Sequence, residues 1–365
     1  MRACVLVCVT TLCGLAAAGE VVLEPKDVVD DPRIALPAVV FRVMRSDPRV
    51  EKAPEGDPVF FTLRAGKKKY TLAAVKEDGA FAKLYVDRDG DGDLAEERPC
   101  GPIGPEGVEK NYFRVKVDAE LTVGGKPFTF PATLFVSPAE TSVKAATALV
   151  GVYKTKAGEF DVVWLGAGRP AVVPHGFEKH LGLLASYCMR ASEQYVGRRR
   201  FSVGAPLLKD GGPVVALSSE DVESMKEVKV PDGSVFFLLY VRKGRRFSQS
   251  PYVVVGGKAF LPEGTYVYAL LFLARTSGKD VWHLGVQVRD FKVADGTDFG
   301  AVEPLKLSST VGKAGGGKLS ILAELRDASG RGVLIAKNMT QIDAPTLEIT
   351  DADGKTVHTY KYHYG

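Results

Sequence analysis

Apolar and polar positions alternate along this chain in short runs broken by Gly, Pro and Asp. Val39, Phe41 and Val43 share one side of an extended backbone, as do Val59, Phe61 and Leu63, and then Tyr70, Leu72 and Ala74 beyond an Ala65-Gly66 turn. Successive side chains of a strand point to opposite faces, so each run predicts a strand with one face buried. Phe113, Val115 and Val117 repeat the pattern. A Gly124-Gly125 turn joins Leu121-Thr122-Val123 to Phe128-Thr129-Phe130, and Phe160 to Leu165 forms another apolar run. Turn signals at roughly ten-residue intervals predict an antiparallel β domain over 38–170, a sandwich or open barrel.

One helical period follows. Phe177, Leu181, Leu184, Cys188, Ala191 and Tyr195 recur at steps of three and four, after Pro174 and before Arg198-Arg199-Arg200, whose charge suits a helix C-terminus. This predicts a bridging helix within 171–200. From 201 to 365 the β pattern resumes, with near-continuous apolar runs at Val235 to Val241 and Tyr266 to Phe272 and an alternation of Trp282, Leu284, Val286 and Val288. A final hairpin around Asp353-Gly354 resembles the closing hairpin of an immunoglobulin-like module. The expected fold is mainly β: an N-terminal antiparallel β domain, one bridging helix and a C-terminal immunoglobulin-like β-sandwich region of one or two modules.

Met1 to Gly19 contains one basic residue, a short apolar stretch and small residues at Ala16 to Ala18, the layout of a secretory signal peptide. Its apolar stretch is shorter than the roughly 20 residues of a membrane span. We expect a leader over 1–19, a linker over 20–37 and a secreted or periplasmic protein with no transmembrane segment once the leader is gone. The 365 residues carry 48 Lys and Arg against 44 Asp and Glu, a formal net charge of +4. The two signs are interspersed, so no long-range field draws nucleic acid. Of five cysteines only Cys100 and Cys188 lie beyond the leader. An oxidising compartment permits a bridge between them, while Cys188 on an apolar helix face serves equally as a buried thiol.

The most specific chemistry lies in Asp87-Arg88-Asp89-Gly90-Asp91-Gly92-Asp93-Leu94. Carboxylates at alternate positions repel unless a cation or water offsets them. With Asp87 as position 1, Asp89 and Asp91 fall on the next side-chain ligand positions, Gly92 on the sharp-turn position, and Asp93 where a backbone carbonyl is needed. This stretch resembles the calcium loops of EF-hand and dockerin proteins. The resemblance implies Ca²⁺ held by Asp87, Asp89, Asp91 and Asp93, with Leu94 pinning the loop. It departs where the closing bidentate acid belongs: Arg98 stands there, and Glu97 closes only a loop shortened by one residue. Phe81 to Val86 reads as a strand and Pro99 blocks an exiting helix, so a structural calcium loop at a strand end is expected, without the paired helices of a sensor.

Other motifs are weaker. His175 and His180 flank Glu178 at a spacing poor for a shared metal, and an odd separation puts His358 and His363 on opposite faces of the last strand. His283, opposite Trp282, is expected to face solvent. Gly312 to Lys318 nearly matches a phosphate loop, but Leu319 replaces the required hydroxyl residue and a hairpin turn is the simpler reading. Lys67-Lys68-Lys69 and Arg242-Lys243-Gly244-Arg245-Arg246 suit an acidic polysaccharide, a lipid headgroup or solvated turns. No Gly-x-Ser-x-Gly or His-Glu-x-x-His motif is present. The expectation is an exported non-catalytic calcium-binding β-protein that meets an extracellular or envelope component, a polysaccharide or a protein. The alternative is a secreted hydrolase acting on polysaccharide or peptide.

Overall fold

In a computed structural model the chain is almost entirely β-strand. It describes residues 17–361 apart from 33–34, 104–111, 178–179, 244–245, 278–279, 301, 315–317, 338–339, 342–345 and 351–352. The strands Phe41–Arg45, Val59–Ala65, Lys68–Glu77 and Ala80–Val86 form a four-stranded antiparallel meander. A longer hairpin, Tyr112–Val123 with Lys126–Ser137, centres a five-stranded sheet. Its first strand buries every second residue from Phe113 to Val123, as the alternation predicts. Gly124 and Gly125 turn it with φ of 57° and 84°, the two consecutive positive values that a tight right-twisted hairpin needs.

The largest sheet has Arg246–Val253, Ser234–Lys243, Gly264–Ser277 and Asp280–Val293 at its centre, in that order and all antiparallel. Phe236, Leu238, Leu270 and Phe272 enter one core, while Phe237, Leu239, Leu271 and Leu273 enter another. Strands buried on both faces carry no polar alternation, which explains the continuous apolar runs there. The first core also takes in the N-terminal sheets, from Val21 through Trp164, and continues through Leu184 and Cys188 to Phe201 and Phe272. Packing is therefore continuous across 171–200.

Two expectations are corrected. The bridging helix is confined to Leu181–Cys188; Ala171–Pro174, Glu193–Val196 and Arg199–Val203 are strands. Pairing across a turn at Gly197, φ 59°, draws Tyr195 opposite Arg200, so the apparent helical period combined residues of separate elements, with Arg198 in the turn and Arg199 and Arg200 in a strand. Residues 20–37, expected as a linker, include the end of Ala17–Val22, all of Glu24–Asp27 and Leu36–Pro37, each paired into a sheet. Residues 1–16 of the expected leader lie outside the described residues, and its boundary at Gly19 falls within Ala17–Val22, paired with Gly212–Asp221. Cys100 and Cys188 are free thiols, and burial pushes the Cys188 thiol pKa up. The hairpin around Asp353-Gly354 is present as Thr346–Thr350 with Thr356–Lys361, a two-stranded sheet of its own. Among the described residues no helix is long and apolar enough to cross a membrane.

Candidate metal centre

The acidic loop leaves the strand Ala80–Val86, the edge of the meander. Asp87 N donates to Thr71 O at 3.0 Å, extending the ladder one residue into the loop. Gly90 and Gly92 then take φ of 80° and 83°, values that L side chains rarely adopt, and bend the chain back toward its start. Leu94 is fully buried and anchors the far end. A third element holds the loop from outside: Glu51 N donates to Gly92 O and Leu94 N to Lys52 O, both at 3.0 Å. The loop is thus fixed at both ends and along one side.

This frame gathers Asp87, Asp89 and Asp91, each offering a carboxylate oxygen within 4.8 Å of the others. Each carboxylate is also held by a backbone amide. Gly90 N donates to Asp87 Oδ1 at 2.8 Å, Asp91 N to Asp89 Oδ1 at 3.4 Å and Asp93 N to Asp91 Oδ1 at 2.7 Å. Asp87 is only 7 % exposed. Burial, reinforced by the charges of Asp89 and Asp91, raises its pKa above the usual carboxylate value. Converging hard oxygens fit Ca²⁺ or another oxygen-seeking divalent cation, which would offset that repulsion.

The Asp93 and Glu97 side chains each pair with a cation. Lys52 Nζ lies 2.5 Å from Asp93 Oδ2, and this ion pair, with Asp93 accepting from Ala95 N, holds the Asp93 carboxyl below the usual range. Glu97 faces Arg88, accepting from its backbone N at 2.9 Å and its guanidinium at 2.8 Å. The neighbouring Glu96 instead feels Asp91, Asp93 and Asp89, whose charges raise its pKa.

The histidines divide differently from expectation. His283 is buried, 4 % exposed, opposite Ala274 and Ala336 of the neighbouring strands. Burial, and then the nearby His180, lowers its pKa to about 4. His175 Nδ1 lies 2.8 Å from Oδ1 of the buried Asp161, whose Oδ2 accepts from Gly176 N at 3.2 Å. That pair orients the imidazole, whose side chain is 58 % exposed. His363 lies outside the described residues, as do Gly315 to Gly317 of the phosphate-loop-like stretch. The flanking strands Lys306–Ala314 and Lys318–Arg326 pair as a hairpin, and no helix follows. Comparison of the chain with family models, with curated proteins and with solved structures gives no match.

Proposed function

We propose that this is an exported, non-catalytic β-protein in which Ca²⁺ rigidifies the Asp87 to Asp93 loop and the sheets present a binding surface at or outside the cell envelope. The observation that carries this reading is the convergence of Asp87, Asp89 and Asp91 on a loop whose frame is set by Leu94, Glu51 and Lys52. Bound calcium would neutralise the cluster and join the loop ends, so its role is stability. A cation that binds only the folded chain stabilises it by RT ln(1 + [L]/Kd), about 1.4 to 2.7 kcal/mol at tenfold to hundredfold excess over Kd. Thermal unfolding in EDTA and then across a calcium titration into the range of about 10⁻⁴ to 10⁻³ M should show a saturable rise of a few degrees. Asp89→Ala should abolish the rise, and an unchanged rise in that variant would remove the site assignment. Because Asp87 holds its proton unusually well, calcium must displace it, and the rise should shrink as pH falls through the carboxylate range.

The alternative reading, a hydrolase, is supported by the Asp161–His175 pair, since a buried carboxylate at Nδ1 orients the other ring nitrogen for proton transfer. It predicts hydrolysis of a polysaccharide or peptide that falls by about 10² or more in His175→Ala. Unchanged turnover in that variant would exclude the pair from catalysis.

A further inference from the structure

The central strands of the long sheet bring four polar or aromatic residues into one transverse row. Pairing sets Gln249 opposite Tyr240, Tyr240 opposite Tyr268 and Tyr268 opposite Arg289, and paired residues share a face. The Tyr240 and Tyr268 rings lie 5.1 Å apart, inclined by 52°, and both are half-buried. Next along the same face, Leu238 and Leu270 are buried in the core and anchor the two strands behind the rings. Tyr187 of the helix leans on Phe236 and Phe272, which lie on the same face, at 5.7 and 5.1 Å.

Arg289 completes the row. It is exposed, and among the described residues its one hydrogen-bond partner is Gln287 Oε1 at 3.4 Å, with no carboxylate in ion-pair range. Its neighbour Asp290 takes a left-handed φ of 47°, and the ladder skips the Val267–Asp290 pair, leaving Val267 60 % exposed. Such an irregularity turns side chains out of regular alternation. The hairpin bearing Tyr240 and Gln249 also carries the sequence Arg242-Lys243-Gly244-Arg245-Arg246 at its end.

These groups suit one ligand chemistry. Tilted, half-buried phenol rings accept the C–H face of a sugar ring, phenol and amide groups match its hydroxyl rim, and a guanidinium with no carboxylate partner among the described residues forks onto a carboxylate. We propose that this face of the long sheet binds an acidic polysaccharide of the uronate class, with Tyr240 and Tyr268 as its stacking platform and Arg289 as its carboxylate ligand. The proposal rests on the binding-module reading and names its partner, but it does not depend on the calcium loop. Nucleic acid also stacks and carries negative charge, yet the interspersed charges of this chain supply no extended positive field for a phosphate backbone.

The test is calorimetric titration of the full chain, in EDTA, with a galacturonic acid hexamer, a neutral glucose hexamer and a single-stranded oligothymidylate. The uronate hexamer should bind, weaken as salt rises and exceed the neutral hexamer. Arg289→Gln should lower its affinity about tenfold or more, as the loss of a charge-assisted contact does. Tyr268→Phe, which keeps the ring and its packing, should cost a few-fold, with both variants retaining the wild-type circular dichroism. Wild-type affinity in both variants would overturn the site while leaving a binding module in place. Absence of uronate binding, equal affinity for the neutral hexamer or tighter oligothymidylate binding would overturn the ligand class. The calcium-dependent melting shift is a separate readout, so failure of the loop assignment is distinguishable from either.

Discussion

Replacing Gly66 by alanine is expected to destabilise the protein by on the order of 3 kcal/mol, a loss visible as a lower denaturant midpoint at unchanged slope. Gly66 turns the hairpin between Val59–Ala65 and Lys68–Glu77, with φ of 65°. A Cβ there would stand 1.9 Å from Glu120 O and 2.8 Å from Glu120 C. Neither atom can easily withdraw, because Glu120 lies inside Tyr112–Val123, paired with Lys126–Ser137. The same oxygen accepts from Lys67 N at 2.9 Å, and Gly66 N donates to Val40 O at 3.0 Å. Alanine would therefore add left-handed strain, about 1 kcal/mol, to the loss of a hydrogen bond of similar size and a backbone shift. This contact docks the meander that carries the acidic loop onto the five-stranded sheet, so part of the calcium-dependent shift should fall with it. Gly79→Ala is the control: its φ is 81°, but nothing lies within 4 Å of the added carbon, and only the conformational cost of about 1 kcal/mol should appear.

Acidification from pH 7 to pH 4 should remove on the order of 2 to 3 kcal/mol of stability through His283 alone. The folded-state pKa is lowered to about 4, against about 6.5 for an unhindered imidazole. A depressed pKa means that the unfolded chain takes up the proton first. The contribution is therefore complete above about pH 6.5, declines as pH falls from there toward 4, and changes little below. Burial is the main cause, and His180 adds to it. His283→Leu removes the proton site, so its stability should vary less over that interval, while acidic residues govern both proteins at lower pH. A direct imidazole titration by NMR checks the same point, and a midpoint near 6.5 would refute it.

The acidic loop was legible because its carboxylates are neighbours in sequence: alternate aspartates, two turn glycines and Leu94 as anchor are all local features. The same holds for the Phe113 to Val123 alternation, the Gly124-Gly125 hairpin and the terminal hairpin. Residues set far apart in the chain carry no such local period. Lys52 captures Asp93 from 41 positions away, and the Arg88 contact that turns Glu97 aside depends on the folded loop. The helical spacing from Phe177 to Tyr195 was real on paper but competed with a hairpin, and pairing of Glu193–Val196 with Arg199–Val203 prevailed. Likewise, strand periodicity placed His283 opposite Trp282, but only the packing of the folded chain decided that it is buried.

The sequence by itself determined a mainly β chain, its principal turns, the two doubly buried strands and a cation-ready carboxylate cluster, because strand period, glycine φ freedom and charge spacing act over a few residues. Tertiary structure decided the length of the helix, the pairing of the N-terminal strands into sheets, the side-chain partners of Asp93 and Glu97, and the row from Gln249 through Tyr240 and Tyr268 to Arg289. Strand order and register set those contacts, and the free energy that selects them comes from burying both faces of the long sheet, a property of the assembled chain.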